Sequence, residues 1–169
     1  MNIKSYNKIS LQMNTNLIPK TINNLIYIKA LLIDSIRNIN NFIKAINTYS
    51  KDGMGFEFIN VDIDNINNLV YLSESWHDYK NKPTTQKIDE LLEEENFIEL
   101  CKIGFLDHIT MTKDNFTHVL LTWDKIINQQ SPFALLYQDD KNWFDVKPFD
   151  TQKAMEKFVA DHTQETSQK

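Results

Sequence analysis

The chain has 169 residues, 41% of them apolar and 24% charged, an ordinary make-up for a globular protein long enough to bury its own core. Three glycines (Gly53, Gly55, Gly104) exclude a glycine-rich phosphate loop, and a single cysteine, Cys101, excludes an internal disulfide and a cysteine zinc cluster. The net charge of −5 is unevenly placed, because residues 1–51 hold seven bases against the one acid Asp34, net +6, and the remainder carries −11.

Near the start, Ile9, Leu11 and Met13 alternate with polar residues and predict a short strand. Residues 1–16 lack the apolar core of a secretion signal, and the most apolar stretch, 18–46, holds Lys29, Asp34, Arg37 and Lys44. A bilayer span of ~20 residues does not tolerate that many charges. The expectation is a cytoplasmic protein with no membrane partner, which the lone cysteine fits. A long helix is predicted from Thr21 to Tyr49. Ile22, Leu25, Leu32, Ile36, Ile39, Ile43 and Ile46 recur at three- and four-residue steps, and Ile26, Ile28, Leu31, Ile33 and Phe42 widen the stripe. That width suits packing on a sheet, with a dimerisation helix as the alternative.

Lys51-Asp52-Gly53 ends this helix with turn chemistry. Phe56, Phe58, Val61 and Ile63 predict a strand, with Ile59 breaking the alternation as at a bulge, and 69–72 its partner across a turn at 64–68. Pro83 and Thr84 precede one helix over 85–102, its inner face Ile88, Leu91, Leu92, Ile98 and Cys101, ended by Gly104. A brief strand at 108–111 leads to Thr112 as N-cap of a helix carrying Phe116, Val119, Leu120, Trp123, Ile126 and Ile127, with Asp114 and Lys125 placed to suit its dipole. Pro132 opens a hairpin: Phe133 to Tyr137, a polar loop at 139–142, and a return strand from Trp143 to Lys147 stopped by Pro148. Asp150 is expected to cap a last helix with Ala154, Met155, Phe158 and Val159 inward, before a disordered tail at 163–169. The reading is a mixed α+β fold, a largely antiparallel sheet packed against about four helices, as a single globular domain over 1–162.

No catalytic motif is present. His77, His108, His118 and His162 lack metal-ligand spacing, so no metal and no cofactor are expected. Asp114 and His118 stand four apart on one helix, as a surface ion pair or a dyad. Cys101 and His108 have the residue types of nucleophile and base, but a thiol on an apolar helix face is more often buried and inert. Asp62-Ile63-Asp64-Asn65 resembles the opening of a calcium loop, yet Asn67 stands where that loop needs glycine and Ser73 where it needs glutamate. What remains is a pattern of acids beside large aromatics. Asp139, Asp140, Trp143 and Asp145 cluster at the hairpin tip, and Glu74, Trp76 and Asp78 in a loop. Asp89, Glu90, Glu93, Glu94, Glu95 and Glu99 form an acidic run. An exposed aromatic flanked by carboxylates has the composition of a hot spot for Lys or Arg, and an acidic body disfavours nucleic acid as a ligand. The candidate partner-binding residues are therefore Asp139, Asp140, Trp143, Asp145, Glu74, Trp76, Asp78, Glu93 and Glu94.

The run from His108 to Phe149 reads HITMTKDNF, then an amphipathic helix ending TWDKIINQQ, then SPFALLYQDDKNWFDVKPF. It resembles small immunity proteins of bacterial polymorphic toxin systems, including those of contact-dependent growth inhibition. The resemblance covers about a quarter of the chain. It implies a cytoplasmic, non-enzymatic protein that binds a cognate basic toxin domain, often a nuclease, and occludes its active-site groove. The basic segment at 1–51 departs from a uniformly acidic inhibitor. Two other readings stay open: a small enzyme with a cleft near Cys101, His108 or His118, and an oligomerising structural protein built on the 22–46 stripe. The oligomeric state is open as well.

Overall fold

A computed structural model describes residues 1–11, 25–35, 54–55 and 59–163. It divides into two compact units, one formed by 1–29 with 114–169 and the other by 30–113. The described strands form two antiparallel sheets rather than the one expected, one of three strands and one of four. The fold is mixed α+β. Among the described residues no helix is long and apolar enough to cross a membrane.

In the first unit, β1 (Ile3–Ser10) lies on one side of β6 (Phe133–Asp139) and β7 (Phe144–Phe149) on the other. The first strand starts earlier than the Ile9–Met13 pattern suggests. Ile3 and Ile9 are its buried residues, while Lys4, Tyr6 and Lys8 are exposed. Leu11 lies past its end, where its N–H donates to the Pro132 carbonyl at 3.0 Å. As the middle strand, β6 buries Ala134, Leu135, Leu136 and Tyr137 in succession, which explains its unbroken apolar run. Pro148 does not stop β7 but pairs opposite Ala134 within it. An outer strand has free amide positions, so a residue without N–H is tolerated there.

One face of this sheet is covered by α6 (Gln152–His162), whose Met155 and Val159 pack on Ile3, Leu135 and Tyr137, with Phe133, Phe149 and Phe158 at the margin. Burying each such side chain contributes ~1.5–3 kcal/mol. Ala154, expected inward, is exposed, and Thr151 rather than Asp150 is the N-cap, its hydroxyl accepting from the Ala154 N–H at 3.1 Å. α5 (Lys113–Asn128) buries Phe116, Val119, Leu120, Trp123 and Ile126, as its periodicity predicts. The buried Asn115 amide ties α5 to β7: its Nδ2 donates to the Phe144 carbonyl at 2.6 Å and its Oδ1 accepts from the Phe144 N–H at 2.9 Å.

In the second unit, β2 (Met54–Gly55), β3 (Ile59–Asp64), β4 (Leu69–Glu74) and β5 (His108–Thr112) run antiparallel in sequence. The β3–β4 turn, predicted at 64–68, falls at 65–68, with Asp64 ending β3. Asp64 closes it by accepting from the Ile66 and Asn67 N–H groups, and Asn68 takes φ 58°, a conformation Asn tolerates. The helix expected over 85–102 is instead two, α3 (Gln86–Glu93) and α4 (Phe97–Lys102), after a single turn, α2 (Trp76–Tyr79). Leu91 and Leu100 are nine residues apart, so a continuous helix would set them roughly 180° around its axis. The break, with Glu95 at φ 53° and Asn96 capping α4 through the Glu99 N–H, lets both enter one cluster with Tyr71, Tyr79, Cys101 and Leu106. Of the predicted helix at 21–49, α1 (Leu25–Ser35) is described, with Leu25, Ile28, Leu31 and Leu32 buried. Its continuation, Met13, Phe56, Phe58 and residues 164–169 lie outside the described residues.

Candidate functional site

The hairpin tip of the first unit holds four of the nine predicted residues. Asp139 ends β6 and directs its carboxylate to its own turn, Oδ1 accepting from the Lys141 N–H at 2.9 Å and the Trp143 N–H at 2.8 Å. Asn142, at φ 64°, completes the turn and accepts from Lys4 Nζ at 3.0 Å. Asp140 is exposed. The Asp139 cap therefore places the backbone of Trp143, whose side chain stays 39% exposed.

Asp145 sits on β7 two residues further on. Its Oδ2 accepts from the Tyr137 hydroxyl at 3.0 Å, and its Oδ1 meets His118 Nε2 at 2.8 Å and its neighbour's N–H, that of Val146, at 2.8 Å. His118 thus faces Asp145 across the strand rather than Asp114 along its own helix. The carboxylate thus engages Nε2 of a His118 side chain that is 42% exposed. The Trp143 indole lies 5.6 Å from the imidazole, inclined at 50°. Burial, then the Asp145 charge and hydrogen bond, push the Tyr137 hydroxyl well above the usual tyrosine range, so it remains a donor. Tyr137 and His118 were not among the predicted partner-binding residues. Their apolar neighbours and four-residue helix spacing gave no sign of a cross-strand partner.

Of the predicted second cluster, Glu74, Trp76 and Asp78, the first does not lie on the surface. Glu74 is buried, bonded to the Lys82 ammonium and accepting from the Asp107 N–H at 2.7 Å. Lys82 also donates to the Phe105 carbonyl at 3.0 Å, so Glu74 is a clamp that joins the end of β4 to two loops. A carboxylate placed at a strand end with a lysine eight residues on becomes internal when the chain folds back over it. Asp78 is exposed, but its Oδ2 accepts from the Ser75 N–H and hydroxyl, each at 3.3 Å. The Trp76 side chain lies outside the described residues. Glu93 and Glu94 are exposed at the end of α3, alongside Asp89, Glu90 and Glu95.

Charge follows the two units. The second holds eight basic and fourteen acidic residues, net −6, and the first is close to neutral at +1. The acidic excess therefore belongs to the unit bearing α3 and α4, and the exposed indole to the other.

The Cys101 and His108 pairing is corrected by burial. Cys101 is 1% exposed, and burial, then the Asp62 charge, push its thiol up to about 12, so the thiolate a nucleophile needs is suppressed. His108 Nδ1 is engaged by the Leu106 carbonyl at 3.0 Å. Among the described residues no group of three His, Cys, Asp or Glu side chains is placed to hold a metal ion. No family model, no curated protein and no solved structure matches this chain.

Proposed function

We propose that the chain is a non-enzymatic binding protein that docks on a basic protein partner and neutralises it, in the manner of a bacterial toxin-immunity protein. The observation that carries this reading is Trp143, held half-exposed on a turn fixed by Asp139 and beside an imidazole fixed by Asp145. An aromatic anchor already in place loses little freedom on docking, and such anchors set residence time. The acidic second unit supplies the long-range field that draws in a cationic surface. A nuclease groove, built to attract phosphate, is a surface of that kind.

The reading is tested by mixing the purified protein with the toxin domain encoded beside it. The expected result is a complex that survives a sizing column and suppresses the toxin's activity, with an association rate that falls as salt rises. Absence of a complex at micromolar concentration overturns it.

A second reading is favoured by one observation, the exposed imidazole oriented by a carboxylate that is itself anchored by Tyr137. That arrangement suits general-base chemistry at His118 Nδ1. It predicts turnover lost in His118→Ala with toxin binding unaffected, the reverse of what the binding reading expects of Trp143→Ala.

A further inference from the structure

Beside the Trp143 indole stands a side chain whose charge can change. His118 Nε2 lies 2.8 Å from Asp145 Oδ1, and the imidazole centroid lies 5.6 Å from that of the indole, inclined at 50°. Histidine is the side chain whose ordinary charge change falls between about pH 5 and 8. Both rings reach solvent, so a proton and a docking side chain arrive at the same place.

Asp145 of β7 is the charge that His118 touches. β6 brings Tyr137, whose hydroxyl donates to Asp145 Oδ2 at 3.0 Å, and Asp139, whose Oδ1 is taken by the amides of the turn. In the turn itself Asp140 and Lys141 are exposed and opposite in sign. On α5, Asp114 stands one turn before His118 and Lys125 two turns after it. Lys4 of β1 is bonded to Asn142, and Lys147 of β7 lies over the Phe158 ring at 5.1 Å. With His118 neutral, the pair carries the negative charge of Asp145 beside the indole. Protonation cancels that charge and sets an imidazolium within the ~6 Å over which an aromatic ring attracts a cation. A cationic side chain docking on the indole then meets a like charge where the neutral pair offers an opposite one.

We propose that Trp143 and His118 form a site for one cationic side chain of the basic partner, and that His118 gates it, open as the neutral imidazole and closed as the imidazolium. This rests on the binding reading above and adds to it the chemistry of the docked group and the condition for docking. The proton and the partner's cation are antagonistic ligands of one site, and the antagonism is reciprocal. The complex holds fewer protons than the free protein. Affinity is therefore full above the histidine range and lost as pH falls through it.

Two measurements on the full chain test the gate. In the free protein, the Trp143 indole N–H resonance, assigned by its loss in Trp143→Phe, is followed by NMR between about pH 5 and 8. One titration step is expected, absent in His118→Gln; no step, or a step that persists in that variant, overturns the gate. Next, Kd for the toxin domain encoded beside the gene is measured at both ends of that range. Wild type should bind about tenfold more weakly in acid than His118→Gln does relative to its own value at the upper end, one pK unit of coupling being a factor of ten. The same acid-to-neutral ratio in both proteins overturns the gate and leaves the binding reading standing. Absence of a complex at either pH overturns the binding reading, and the site with it. Should His118→Gln not fold, calorimetry of wild-type docking in two buffers of different ionisation enthalpy decides: protons must be released within the histidine range, and uptake or no exchange overturns the gate.

Discussion

His118 and Asp145, twenty-seven residues apart in the chain, meet at 2.8 Å because β7 returns alongside the helix that carries the histidine. One carboxylate thereby takes hydrogen bonds from an imidazole, a phenol and a backbone amide. Structure and recognition separate at this point. Asp145 holds the tip together, and Trp143 is what the tip presents.

Two substitutions separate those roles. Asp145→Ala strips acceptors from Tyr137, His118 and Val146 and should cost about 1–3 kcal/mol of stability, read from a urea transition. Trp143→Ala should leave that transition within about 0.5 kcal/mol. It should also weaken the partner complex by about 2 kcal/mol, roughly thirtyfold in Kd, mostly through faster dissociation. An unchanged Kd in Trp143→Ala would show that the indole is surface and nothing more.

Asp64 gives the protein a pH dependence. The Asn67 side chain, then the Asn67 N–H, Lys102 and the Ile66 N–H, hold its carboxyl below the usual range against the opposing effect of burial. A depressed folded-state value means stability that is present above the ordinary carboxylate value and lost as pH falls through the lowered one. Asp64→Ala should therefore cost about 1–2 kcal/mol at pH 7, with the deficit narrowing toward pH 3. A deficit constant across that interval would show the turn to be held by its backbone alone.

Glu95 occupies φ 53°, where an L side chain crowds its own backbone. Glu95→Gly should stabilise the protein by about 1 kcal/mol, because the strain it relieves exceeds the added freedom of the unfolded chain. The midpoint of urea unfolding should rise with no change in slope. A fall would mean that Glu95 makes a compensating contact.

Residues whose environment is local were legible in the sequence. The α5 stripe from Phe116 to Ile126, the β3–β4 turn and the β6–β7 hairpin are each specified by spacing and turn chemistry within about twenty residues. The helix break was not, because Glu94, Glu95 and Asn96 are unexceptional in a helix and the break is imposed by Leu91 and Leu100 needing one cluster. Pro148 read as a stop because sequence does not say which strand lies outermost. At the candidate site, Asp139, Asp140, Trp143 and Asp145 stood out as acids around an aromatic, whereas Tyr137 meets Asp145 across the β6–β7 pair and His118 reaches it from α5, a helix-to-strand contact that no local pattern encodes. Glu74 failed as a surface candidate for a similar reason: exposure is a property of what folds over a residue.

The proline in β7 also bears on what the molecule avoids. In the described three-stranded sheet both flanking strands are discouraged from recruiting another chain, one by a residue with no amide hydrogen to offer, the other by the charges of Lys4 and Lys8, exposed residues bonded to Asn142 and Glu156. A hairpin whose tip advertises an indole would otherwise invite its own copies to stack, and these two flanks blunt that route to fibrous self-assembly.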